Sequence, residues 1–191
     1  MTSPSSESGT ERRSLACTVP PEIWIMILSE LDYSQLKKAS RICKTLQGYI
    51  LGQEFDAILF RQGAPSNPPK ERTRLELHPV LRAVDARSED WESMRITVEH
   101  EGQRKTYFPK DYPSILDEFA TSPAASPIRL FLDWAHIGTT GPTVGEVLEG
   151  IANSLQYLVE SEREEYLANA DWWPSATATG NGEAQYLCDY D

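Results

Sequence analysis

The chain has 191 residues, is 40% hydrophobic and carries a formal net charge of -11, with a pI of about 4.8. That acidic balance argues against nonspecific binding to nucleic acid or to an anionic membrane, both of which need positive charge. No run of roughly 18 apolar residues is present to span a bilayer, and Cys17, Cys43 and Cys188 are too scattered for a disulfide framework or a zinc site.

Residues 1–17 are rich in Ser, Thr and Glu and lack the apolar centre of a signal peptide. They read as a disordered tail, and the chain is expected in the cytoplasm or nucleus. Residues 18–61 read as a tight helical unit. Pro20, Pro21 and Glu22 open its first helix, which runs from Pro21 to about Leu31. Proline is tolerated in a first turn because its missing N–H has no intrahelical partner there, and Glu22 sits at the positive end of the helix dipole. At ~100° per residue, Ile23, Ile27, Leu31, Trp24 and Leu28 cover one broad arc, while Ile25 and Met26 fall elsewhere. A helix apolar nearly all round has to bury more than one face.

Asp32 or Ser34 caps the next helix, expected from Gln35 to about Arg41, with Leu36 and Ala39 inward. A third, from Ile42 to about Leu51, offers Ile42, Leu46, Tyr49 and Ile50 at helical spacing. A short fourth is expected from Gln53 to Arg61. About forty residues of short helices bury little surface on their own, so part of this apolar load is expected to meet a partner.

The stretch Val19-Pro20-x-Glu22-Ile23, then Ile27-Leu28, Leu31-Asp32, Leu36 and Ser40-x-Ile42-Cys43-Lys44 resembles an F-box, its spacing held without a gap. The departures are Val19 for the usual Leu, Gln35 for a common acidic residue, and Leu46 where Trp or Phe is common. The resemblance implies a three-helix unit that docks the Skp adaptor of a cullin–RING ubiquitin ligase through residues 19–51. Carried over residue by residue, the docking set is Val19, Pro20, Ile23, Trp24, Ile27, Leu28, Leu31, Leu36, Ile42 and Cys43. It implies no cofactor, no metal and no catalysis by this chain, which would recruit an unknown protein substrate. The alternative is an F-box-like interaction module acting outside a ligase.

Residues 62–74, with Pro65, Pro68 and Pro69, read as a semi-rigid linker. Residues 75–173 read as an α+β domain with a few strands and one long amphipathic helix. Met94 to His100 alternates and is β-branched at its middle, so it reads as a strand. Glu101-Gly102 marks a turn, and Lys105 to Phe108 pairs back. Ile128 to Trp134 is the clearest later strand. Thr143-x-x-Glu146 is a capping box opening a helix with Val144, Val147, Leu148, Ile151, Leu155, Leu158 and Val159 on one stripe. Ser161-x-x-Glu164 reads as a second box. Residues 174–191 lose periodicity and read as an acidic disordered tail. His78-Pro79-x-Leu81, Ala120 to Pro123, Ile128 to Leu132 and Thr143 to Leu148 are similar to a domain of fungal proteins, some carrying F-boxes. This resemblance implies a fungal source and no activity.

Signals for chemistry are weak. His78, His100 and His136 lie in separate segments without metal spacing. Asp133 and His136 are the one acid–imidazole pairing to consider, against the plainer reading of a surface histidine after a strand. Gly138-Thr139-Thr140-Gly141 lacks the lysine of a phosphate loop. Cys43 reads as packing in an apolar helix. Trp172-Trp173-Pro174 reads as closing over a core, with a peptide anchor as the alternative.

Overall fold

A computed structural model describes residues 19–66, 69–85, 91–100, 103–132, 135–156, 173–179 and 183–189. They are mixed α and β, and the chain divides after Phe55 into two compact units.

In the first unit α1 spans Pro21–Ser29, with Pro20 at the N-cap and Glu22 in the first turn. It stops two residues short of the expected Leu31, because the Glu30 and Leu31 amides turn back to the Ile27 and Leu28 carbonyls. α2 spans Tyr33–Ala39 and begins two residues earlier than expected. Asp32 accepts from the Gln35 amide at 2.8 Å while the Gln35 side chain accepts from the Asp32 amide at 2.9 Å, a closed capping box. Gln35 therefore does the N-terminal work that an acidic residue would do. α3 spans Lys44–Ile50, so Ile42 lies in the preceding turn instead of on an inward helical face. α1 and α2 both pack on α3. Leu28, Leu36, Ala39, Leu46 and Ile50 are buried.

No helix forms over Gln53 to Arg61. A single 3-10 turn at Gln53–Phe55 is followed by turns. Phe60 adopts a left-handed φ of 54°, and the Arg61 and Gln62 amides both return to the Asp56 carbonyl. A non-glycine residue in that region costs about 1–2 kcal/mol, and it ends any helical run.

In the second unit β1 (Glu76–Leu77) pairs antiparallel with β5 (Thr121–Ser122). Between them α4 (Pro79–Ala83) leads into β2 (Val84–Asp85), and β2, β3 (Arg95–His100) and β4 (Gln103–Tyr107) form an antiparallel meander. The expected hairpin is present, with Ile96 opposite Tyr107 and His100 opposite Gln103. A short α5 (Pro113–Leu116) follows. The third sheet has the order β7-β6-β9-β8, built from β6 (Ile128–Leu132), β7 (Ala135–Thr140), β8 (Trp173–Ala178) and β9 (Ala184–Asp189). β6 and β9 are parallel and the other pairs antiparallel.

Two boundaries move. Residues 174–191 are not all tail, since β8 and β9 supply half of this sheet, with Ala176, Ala178, Ala184 and Tyr186 buried. The end of the 62–74 linker is also structured. The Arg72 and Leu75 amides donate to the Ala178 and Ala176 carbonyls at 2.8 and 2.9 Å, and the Ala178 amide returns to Thr73. Residues 72–75 thus lie along the outer edge of β8.

α6 (Val144–Gln156) packs over β6 and β7. Its start is the predicted box: the Glu146 carboxylate accepts from the Thr143 amide at 3.0 Å and hydroxyl at 2.8 Å. Val144, Val147, Leu148, Ile151 and Ala152 enter the core beside Ile128 and Leu130. Gly150 permits the close approach, because a Cβ there would stand 3.0 Å from a Leu130 methyl. The second box at Ser161, the Asp133 position and Trp172 lie outside the described residues.

Candidate docking face of the first unit

The structure splits the predicted arc of α1 by helical phase. Taking Ile23 as zero, ~100° per residue puts Met26 and Ile27 within about 60° of it and Leu28 about 140° away. Leu28 is inward and buried, whereas Ile23, Met26 and Ile27 are 45%, 65% and 48% exposed. Trp24, at the flank, Ile25, about 160° away on the inward side, and Leu31, just past the helix end, are half-buried. Pro20 is exposed at the helix start and Val19 is half-buried.

Of the other predicted docking residues, Leu36 is fully buried on α2, Cys43 is half-buried, and Ile42 is 73% exposed in the turn before α3. Leu28 and Leu36 have no surface to offer a partner in this arrangement; they hold the three helices together. Two residues were missed. Met26 was assigned elsewhere on the helix, although its spacing of three from Ile23 places it on the same face. Leu51, at the C-cap of α3, is 64% exposed.

Surface of this kind is costly to leave in water: each large aliphatic side chain contributes roughly 1.5–3 kcal/mol on full burial. Arg41 and Lys44 flank Ile42 and are exposed. On α2 the Lys37 ammonium stands 5.4 Å from the centre of the Tyr33 ring. The face therefore offers apolar side chains with cations nearby and no nucleophile–base pair. Among the described residues no group of His, Cys, Asp and Glu is arranged to hold a metal, and no helix is long and apolar enough to cross a membrane.

The clearest buried polar cluster lies in the second unit, and sequence reasoning passed over it. His78 is fully buried, with Nε2 3.0 Å from a carboxylate oxygen of Glu118, itself buried. The Val80 amide donates to His78 Nδ1 at 3.2 Å. That nitrogen must present a lone pair, which places the ring proton on Nε2, donating to Glu118. The backbone joins the same knot. The His78 amide donates to Ala120, the Val144 amide to Glu118 and the Phe119 amide to Phe60, at 2.8 to 2.9 Å. The Phe60 ring meets the imidazole edge-on at a centroid distance of 4.8 Å. With no exposed surface on the ring, the pair ties α4, residues 118–120 and the start of α6 together instead of meeting a substrate. The side chains of His100 and His136 lie outside the described residues.

No protein-family model, curated protein or solved structure matches this chain. The geometry of the α1 face and the F-box-like spacing of its residues therefore stand without the support of a relative.

Proposed function

We propose that the chain is an F-box substrate receptor, docking the Skp adaptor of a cullin ubiquitin ligase through its first unit and recruiting a target protein through its second. The observation that carries this reading is the exposure of Ile23, Met26, Ile27 and Ile42 on a unit whose interior is already filled by Leu28, Leu36, Leu46 and Ile50. A plain helical domain gains nothing from such residues outside. An interface uses them as anchors, and a few well-packed side chains carry most of the binding energy of an interface. Pro20, Ile23, Ile27 and Ile42 of the F-box-like pattern are exposed, while its Leu28 and Leu36 form the scaffold. The chain itself supplies no chemistry in this reading. It contributes proximity, holding a target lysine near the transferring enzyme.

The test is co-purification with the Skp adaptor. Ile23→Asp together with Ile27→Asp alters only exposed positions and is expected to abolish capture while the helical circular dichroism is retained. Unchanged capture by the double variant overturns the reading.

A further inference from the structure

The segment from β4 to α5 is a positive, aromatic island in an acidic unit. Between Gln103 and Pro113 stand Arg104, Lys105 and Lys110 against Asp111 alone, whereas residues 56–191 hold 23 acidic and 12 basic side chains. Among the described residues β4 is one of the two outer strands of its sheet, with β2 at the other edge. Lys105, Thr106 and Lys110 are exposed, and Tyr107 is the exposed large hydrophobic residue of the second unit among those described. The Tyr107 ring meets Tyr112 edge-on at 5.9 Å and 76°, and the Lys110 ammonium stands 5.9 Å from the centre of the Phe108 ring. Neither Lys105 nor Lys110 has an ion-pair partner among the described residues.

An outer strand presents unpaired N–H and C=O groups, and a lysine on it repels neutral or basic strands by the cost of burying its charge. The same lysine favours a strand bearing carboxylates. Strand alternation puts Lys105 and Tyr107 on one face, so a cation and an aromatic ring are offered side by side. We propose that β4 takes up an extended Asp/Glu-rich segment of another protein as an added strand, with carboxylates on Lys105 and Lys110 and an apolar side chain against Tyr107 and Tyr112. Main-chain pairing supplies affinity and the alternate side chains supply selectivity. In the receptor reading, on which its role as target recruitment rests, this segment is what marks the target.

The test is titration of the full chain with a fluorescein-labelled peptide of alternating Glu and Val, by anisotropy, with no adaptor present. Binding is expected, at least tenfold weaker for the Lys105→Glu/Lys110→Glu variant and for a Lys/Val peptide. Two peptides with alternate amides N-methylated, one on the odd residues and one on the even, distinguish strand addition from simple charge attraction. One is expected to bind like the parent and the other to lose binding. Equal binding of both, no binding of the Glu/Val peptide, or tighter binding of a phosphoserine/Val peptide overturns the proposal. So does a concentration-dependent increase in mass of the chain alone that Lys105→Glu abolishes, which makes a second copy the occupant. Failure here leaves adaptor capture untouched, and loss of adaptor capture leaves this titration readable.

Discussion

The two units treat their apolar residues in opposite ways. Residues 1–55 hold six acidic and six basic side chains, so the net charge of -11 belongs entirely to residues 56–191. Yet the charge-balanced unit is the one that leaves Ile23, Met26, Ile27, Ile42 and Leu51 outside, while the acidic one closes Val144, Leu148, Ile128, Leu130 and Met94 into a continuous core. Size explains part of this, since a small helical unit has little interior to fill. It does not explain why the surplus residues are large aliphatics at helical spacing. In the first unit large aliphatic side chains are left at the surface; in the second they are closed into the fold.

The largest break in that comparison comes from the interiors. Leu148→Ala in α6 and Leu36→Ala in α2 both truncate fully buried side chains, and each is expected to cost roughly 2–5 kcal/mol, read by urea denaturation. A cost below about 1 kcal/mol at Leu148 would mean that the second core is looser than its burial implies. The next effect is polar. Glu118→Ala removes the partner of the buried His78 Nε2, and leaving such a donor unsatisfied costs about 1–3 kcal/mol. Glu118→Gln keeps an acceptor in place and is expected to recover much of the loss. Equal losses from the two variants would locate the stabilisation in the charge instead of the hydrogen bond.

What could be read in advance follows the reach of each signal. Caps are local: the Thr143–Glu146 box and the Pro20–Pro21 start were legible because the partners lie within three residues. Hairpin β3–β4 was legible because its strands alternate and its turn is short. β8 and β9 were not, because their inward positions are largely Ala176, Ala178 and Ala184, and alanine carries no strand preference. Their order comes from pairing with β6 and with residues 72–75, which no local pattern reveals. His78 and Glu118 are forty residues apart in sequence and meet only through the fold. On α1, periodicity showed that the helix is apolar on more than one side but not which side faces inward. That is decided by the packing of the unit, in which α1 meets α3, Leu28 is buried and Ile27 is left out.

Smaller effects sharpen the contrast. Asp32→Ala removes the capping acceptor for the Gln35 amide, with an expected cost of about 1 kcal/mol. In so small a unit a loss of that size is a sizeable share of the stability, so under the proposed receptor reading adaptor capture should weaken only through the unfolded fraction and recover on cooling.

The smallest expected change in stability is the most informative. Ile27→Ser alters a side chain that is half outside on α1, and surface substitutions usually stay within about 0.5 kcal/mol. Leu28→Ser, one residue on, alters a buried side chain and is expected to cost several times as much, since it removes core volume and buries a hydroxyl. If the exposed arc is an interface, Ile27→Ser lowers adaptor affinity at least tenfold with its denaturation midpoint unmoved. Leu28→Ser loses affinity only in proportion to the protein it unfolds. Were the two to behave alike, with affinity following stability in both, the outer face of α1 would be ordinary surface. The division of labour between Ile27 and Leu28 would then be a matter of helical phase alone.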